Sequence, residues 1–595
     1  MQKSFASWVA FPNVFYLAVG LALILLLPSL SVGFFADDYL FISMIEKRTP
    51  VEYSIFDMYR FTSIHREFRD IAVANGIYPW WVYSELHVNF FRPISSILFW
   101  LDYQFFGRHP LGYHLHCLLW LCLFLLALKW IYQRTLPAHI GSLALLIYAI
   151  NPAHGLASAW PSNRHALISV TFVLFGFCAH IRFREDHWKI GLPLSLVGYT
   201  LGLMSGETAI SALIYVGFYE LLLGPGNFRK RILALVPVLS LGVLYTVFYK
   251  KSGYGSFGSG FYNDPVTEPL GYLKEALFRI PTLLADQYLR APSDFWMLSP
   301  KTHPILAGIG VVAILLMGFL LKNGLSRLEP KNRKVFYGFL LSSLVSLLPV
   351  IATIPMTRLL LCPFIGGAVL IAFVLHSLKE TLVDLEIGFL WKRRFFKGIY
   401  RFLWILTFII APLQLLGTSL LLIFHEVNWK QSPETFDQIP QENPPHLILT
   451  VAPDHTFLMY FMPIRAYFEK PLPKTFHVLS AAIYDHLLTR IDERTLELTI
   501  KPPGRMLDSE FEKLYRSSHF PIQAGYTKKI GEVYEVEVIE ADSYAPVKVR
   551  YHFQKPLEDP SLLFVYWKAG KLQRLPALKF GQELEIPKTM GPSGL

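Results

Sequence analysis

Apolar residues in this chain are gathered into runs of roughly 18 to 23, the length at which an α-helix crosses the hydrocarbon core of a bilayer. The runs lie at about 14–33, 112–132, 138–152, 165–182, 189–204, 207–223, 232–249, 304–321, 335–353, 359–377 and 401–424, the third and fifth being short. Charged residues make up 17% of the chain, below the quarter or so usual for globular domains. The fold class predicted is a polytopic α-helical membrane protein of about eleven spans, followed by a soluble strand-rich α+β domain.

Charge tests the topology. The formal net charge of +11 is not a nucleic-acid signature, since Lys and Arg recur in short clusters between apolar runs and no nucleic-acid motif is present. With Lys3 on the inner side, the clusters at Lys129/Arg134, Arg182/Arg184/Lys189, Arg229–Arg231, Lys322–Lys334 and Lys392–Arg401 all fall on that side. The first run has no small-residue cleavage site and reads as a retained helix. Cys117, Cys122, Cys178 and Cys362 all lie in apolar runs, as small packing residues rather than a disulfide framework.

This topology leaves 34–111, a loop near 151–164, the turn Ser205–Glu207, the segment 250–303, the turn Ile354–Arg358 and everything after 425 on the outer face. Within 34–111, Ile55–Ile71 and Ile94–Phe106 have the spacing of interfacial amphipathic helices. The division expected is a membrane domain over 1–424, a linker over 425–445 marked by Pro433, Pro440, Pro444 and Pro445, and a β-rich domain over 446–595. Its predicted strands are His446–Val451, Thr475–Leu479, Thr495–Ile500, Val533–Ile539, Val547–Phe553 and Leu562–Trp567.

Every acidic or His-bearing constellation of note lies on the outer side. Asp37 and Asp38 sit among aromatics where the first span surfaces. Adjacent carboxylates there are either helix-end groups meeting water or a general base whose pKa is raised by burial and repulsion. Arg92 after Phe91 either snorkels or clamps a phosphate, and Arg358 and Glu207 stand alone at membrane turns. His114 and His116, two residues apart on a helix, do not share a face and so do not form a metal pair. His154, Trp160 and Arg164 crowd the 151–164 loop, as a polar turn or a pocket wall. The glycine-rich stretch Tyr254–Tyr262 has no phosphate-loop spacing and reads as a linker or an aromatic loop lining a sugar site.

Asp37-Asp38, Phe91-Arg92-Pro93, Tyr113-His114-Leu115, Asn151-Pro152-Ala153-His154 with Trp160 and Arg164, Gly206-Glu207-Thr208-Ala209 and Thr357–Pro363 follow one another in order. Together they resemble the membrane half of the transmembrane and tetratricopeptide-repeat O-mannosyltransferases and their bacterial relatives, in the GT-C superfamily of glycosyltransferases. This sequence departs from that pattern at Asn151, Leu156, Gly206 and Cys117, where the family has His, an acid, Lys and Asn. It also lacks the tetratricopeptide array.

The resemblance implies inverting transfer of a sugar from a polyprenyl-phosphate-linked donor to an acceptor hydroxyl on protein or glycan, at the outer face. Asp37 or Asp38 would be the base, and Arg92, Arg164 and Arg358 would hold the donor phosphate. Tyr39, His114, His154, Trp160 and Glu207 would line the pocket. A divalent cation, magnesium or manganese, is the only cofactor such a site would use, with Asp38 as its ligand. The location expected is a bacterial inner membrane, with the N-terminus cytoplasmic and the β-rich domain periplasmic. The alternatives are a GT-C-like scaffold without turnover, which Leu156 and Gly206 favour, and a transporter of lipid-linked glycans.

Overall fold

A computed structural model describes residues 13–48, 54–62, 66–384 and 390–592. Each of the eleven apolar runs is helical there. Among the described residues, eight helices are long and apolar enough to cross a membrane, including Asn13–Ser31, Pro110–Thr135, Pro161–Glu185 and Trp391–Gln431. The two short helices Gly191–Leu203 and Thr208–Leu223 join them. The run expected at 138–152 ends instead at Ala149 and is bent by 52° onto Pro152–Ala159. Pro152 brings no N–H to continue the ladder, and the Asn151 side chain caps the new segment by accepting from the Ala153 N–H at 3.0 Å.

Two of the basic clusters come together at one end of their helices. Arg134, in the last turn of Pro110–Thr135, donates to Glu185 at the end of His165–Glu185 (2.8 Å), and Arg184 donates to the buried Glu220 (2.7 Å). These pairs lie at the ends of the two helices opposite to Pro110 and Arg164. Residues of the outer loops are therefore free to build a separate polar centre.

The first outer segment departs from expectation. Residues 54–62 form turns, and helix runs only over Arg66–Ala74; part of the stretch, including Ile64, lies outside the described residues. The backbone pairs sideways instead: the Phe61 N–H donates to the Val88 carbonyl and the Phe90 N–H to that of Tyr59. The second expected helix is present as Pro93–Phe106, with proline in its first turn.

The C-terminal domain holds two sheets. One is ordered Lys571–Arg574, Leu562–Lys568, His446–Val451, Thr475–Ser480, with the last three strands parallel to one another. The other is antiparallel, ordered Glu583–Ile586, His486–Arg490, Thr495–Ile500, Ala545–Phe553, Tyr534–Asp542, Thr527–Ile530. All the predicted strands are present. Of the additional strands in these sheets, Thr527–Ile530, Lys571–Arg574 and Glu583–Ile586 carry Lys or Glu and lie at sheet edges, where charge discourages further pairing, and His486–Arg490 is interior.

The stretch expected as a linker is not a free tether. Helix continues through Pro433 to Thr435, and Phe436 and Ile439 enter the core of the C-terminal domain. That core also takes in Val73, Trp80, Trp81, Val82, Leu86 and Val88 from the first outer segment. Trp80 Nε1 donates to the Leu479 carbonyl at 2.8 Å, and Lys528 Nζ and Arg516 Nη1 donate to the carbonyls of Trp80 and Trp81. Replacing Trp80 by Ala removes a fully buried indole and a satisfied N–H, at a cost of about 3–5 kcal/mol. The thermal unfolding midpoint of detergent-solubilised Trp80→Ala should therefore fall by several degrees, with limited proteolysis cutting first in the outer segment.

Candidate functional site

The site is built on a strained turn. Ala36 has φ 50° and ψ −115°, a region open to glycine and unfavourable for a residue with a Cβ, at about 1–3 kcal/mol. The turn it makes starts helix Asp37–Ile45, putting both carboxylates in the first helical turn, where the backbone N–H groups favour negative charge.

The two acids then have different surroundings. Asp38 is buried and both its oxygens are engaged: Oδ1 accepts from the Ser162 N–H at 2.9 Å and from the Ser162 hydroxyl, and Oδ2 from the Phe35 N–H at 3.0 Å. Burial pushes its pKa up to about 7 despite those donors, with the Asp37 charge adding to the rise. Asp37 is partly accessible. Its Oδ1 accepts from the Tyr460 hydroxyl at 2.8 Å, and among the described residues its Oδ2 has no hydrogen-bond partner. Burial raises its pKa too, opposed by Tyr460, Arg358 and Arg92.

Two guanidinium groups act on Asp37 from separate elements. Arg92, preceding helix Pro93–Phe106, donates to Glu207 at 2.8 Å and lies over the rings of Tyr59 and Phe90. Glu207 also accepts from Tyr249 (3.0 Å), and its turn is held by Ser95 and Ser169 donating to the carbonyls of Ser205 and Gly206. Arg358 donates to Asn163 Oδ1 at 3.2 Å, lies over Trp160 and has no carboxylate within ion-pair distance among the described residues. Its short helix Thr357–Leu361 is anchored by Thr357, whose N–H donates to Asp294 at 3.2 Å and whose hydroxyl lies 2.6 Å from Asp286 Oδ2. Tyr262, from the glycine-rich aromatic loop, is placed where the charges of Arg358, Arg92, Asp37 and Glu207 all act on it.

Aromatic rings make the wall. Trp160 Nε1 donates to the Phe35 carbonyl (3.1 Å), and the Phe35 ring lies 5.4 Å from Trp160 and 4.4 Å from Trp429. Trp429 in turn stacks on Tyr460 at 5.4 Å.

Several expectations are corrected. Arg164 is not available to a phosphate: it is 1% exposed and its Nη2 donates to Asp102 at 2.5 Å, with His116 2.6 Å from the other Asp102 oxygen. A charge buried this deeply persists because it is paired. Tyr39, His114 and His154 do not line a pocket either. Tyr39 packs among Phe34, Tyr467 and Phe468. His114 lies 3.4 Å from the Gly33 carbonyl, and His154 bonds the Ala149 carbonyl and Ser158. All three are buried.

Both oxygens of Asp38, the residue expected to bind a divalent cation, accept hydrogen bonds, and among the described residues no group of three His, Cys, Asp or Glu side chains converges.

Sequence reading missed Tyr460, Trp429, Asp286 and Asp294. None sits in a motif, and Tyr460 is 423 residues from its partner. Only Tyr262 carried a signal, as part of the aromatic loop.

No family model matches the chain. Protein O-mannosyl-transferase Tmtc1 of Drosophila melanogaster is 32% identical to it over 137 residues, 22% of this chain and 15% of that protein. Protein O-mannosyl-transferase F38B6.6 of Caenorhabditis elegans is 27% identical over 165 residues, 27% of this chain and 23% of that protein. The chain thus spans less than a quarter of the length of these relatives. Among solved structures, that of ArnT from Cupriavidus metallidurans bound to undecaprenyl phosphate covers 78% of this chain and 86% of its own, with a TM-score of 0.38 and 14% identity.

The Asp38 environment sets a pH dependence. A carboxyl whose folded pKa is about 7, against about 3.9 in an unfolded chain, stabilises the fold fully below pH 4 and loses that contribution as pH rises to about 7. Asp38→Asn keeps an acceptor for the Ser162 hydroxyl and removes the titration. Thermal melts between pH 4 and 8 should show a shallower decline for the variant than for the parent.

Proposed function

We propose that this chain is a GT-C-type membrane glycosyltransferase that moves a sugar from a polyprenyl-phosphate-linked donor to an acceptor hydroxyl. The observation that carries the reading is the asymmetry of the acid pair: Asp37 has one oxygen held and one open, and two guanidinium groups from different outer loops face it. The sequence similarity to protein O-mannosyl-transferases supports a sugar of the mannose type.

In this reading the donor phosphate lies against Arg358, the cation without a carboxylate partner, with Arg92 completing the positive wall. Guanidinium geometry suits phosphate oxygens, and the Glu207 partner keeps Arg92 in place. The acceptor oxygen attacks the anomeric carbon from the face opposite the phosphate. Its proton passes to Asp37 Oδ2 as the new C–O bond forms. The old bond to the phosphate oxygen breaks, its electron pair leaves with the polyprenyl phosphate, and the anomeric configuration inverts. Raising the Asp37 pKa by burial strengthens it as a base, while the two cations keep enough of it ionised to act. Asp38 ties the turn to the 161–164 loop. By the positive-inside tendency this reading has the Lys- and Arg-rich loops facing a cytoplasm and the site on the periplasmic side of a bacterial inner membrane.

The test is transfer from undecaprenyl phosphate mannose, labelled in the sugar, by purified protein in bilayer discs, with water or added hydroxyl acceptors. Asp37→Asn should lower kcat by about 10²–10⁴-fold, the usual contribution of a general base, with donor binding retained. Arg358→Gln should raise donor KM more than it lowers kcat. Full activity in Asp37→Asn would end this reading. Donor binding by the parent without turnover on any acceptor would favour the scaffold.

A further inference from the structure

The C-terminal domain touches the outer site at two places. Tyr460, buried at the junction of two short helices, donates to Asp37 Oδ1 at 2.8 Å. On the other side, the Gly260 N–H donates to the Lys513 carbonyl (2.7 Å) and the Ser517 N–H to that of Gly258 (2.8 Å), pinning the loop that ends in Tyr262.

Tyr460 is itself held. Its ring stacks on Trp429 near the end of the last membrane helix. The following helix, Phe461–Tyr467, carries the fully buried Arg465, which donates to the carbonyls of Pro433, Phe436 and Pro471 at 2.6–3.0 Å. A guanidinium that spends its donors on three backbone carbonyls locks that helix to the exit of the membrane span. The Tyr460 hydroxyl is thus carried in the frame of the C-terminal domain, and that frame packs on the Asp37 helix itself through the Tyr39 and Tyr467 rings (5.1 Å) and the Arg48 donation to the Ala466 carbonyl (2.7 Å).

We infer that Tyr460 is a positioning residue: the C-terminal domain uses its hydroxyl to hold one oxygen of Asp37, so that the other is turned toward the acceptor. This rests on the reading of Asp37 as the proton acceptor. The consequence is that the β-rich domain completes the catalytic centre, whatever else it does. A carboxylate held at one oxygen cannot rotate freely, so its second oxygen is presented at a fixed angle. The other titratable or charged groups facing Asp37 are Asp38 on its own helix, Arg92 and Tyr59 from the first outer segment, Arg358 from the 357–361 turn and Tyr262 from the aromatic loop. Among the described residues only Tyr460 donates a side-chain hydrogen bond to it.

The experiment replaces Tyr460 by Phe in the full-length protein, with Asp37→Asn measured beside it, using undecaprenyl phosphate mannose. Phe keeps the ring on Trp429 and removes only the hydroxyl. The expected result is a kcat about tenfold lower with donor KM changed less than about twofold, together with an acid limb of kcat/KM displaced upward by roughly one pH unit, as befits loss of a donor to a carboxylate. A second variant carrying 3,5-difluorotyrosine at 460, a stronger donor of the same shape, should displace that limb downward. An unmoved limb in both variants, whether or not the rate falls, overturns the inference while leaving Asp37 in place. An active Asp37→Asn overturns instead the reading on which it rests.

Discussion

A carboxylate taken out of water must be repaid in hydrogen bonds or lose its charge, and Asp38 meets that demand in a way that joins the outer surface together. Its acceptors reach the Phe35 N–H behind it and Ser162 in the loop between two membrane helices. The Tyr59 hydroxyl closes on the same loop through the Ser162 carbonyl at 2.8 Å. Three separate stretches of chain are thereby brought to one point. The strained Ala36 conformation persists because these contacts over-determine it. Asp37 is then presented by a turn whose neighbours are already committed.

The same economy accounts for the division of labour among the arginines. Arg164 and Arg92 each meet a carboxylate, at Asp102 and Glu207, whereas among the described residues Arg358 meets an amide oxygen and an indole face and no carboxylate at ion-pair distance. In a site with a low local dielectric, that difference decides which cation still has attraction to offer a ligand anion. The asymmetry between Asp37 and Asp38 is of the same kind, since the group with unspent hydrogen-bonding capacity is the one chemistry can use.

Much of this was legible in the chain itself, for reasons that differ by level. The spans were readable because length and apolarity are local properties, and the acid pair, Arg92, Glu207 and Arg358 because charge beside a membrane run is conspicuous. The roles of Asp37 against Asp38, and of Arg164 against Arg358, were not readable. They depend on Ser162, Asp102 and Tyr460, whose sequence distance from their partners carries no pattern. The supposed linker misled because Pro433 looks like a helix breaker, yet a helix end packed against the Arg465 guanidinium tolerates it. Residues 54–62 misled similarly, with helical spacing overridden by sideways pairing to Val88 and Phe90.

The burial of Trp80 and Trp81 inside the C-terminal domain has a bearing on how the molecule is made. Their partners at Leu479, Arg516 and Lys528 are about 400 or more residues further along, so a ribosome delivers the first outer segment long before anything exists to enclose it. The membrane helices between them enter the bilayer in the meantime, while two indoles and the Asp37 carboxylate, whose hydrogen-bond partner is Tyr460, wait at the water interface. Enclosure of this segment accordingly waits for residues 479–528 of the C-terminal domain. An interrupted or truncated product would expose the early aromatic segment to chaperones and proteases, however well its transmembrane portion had inserted.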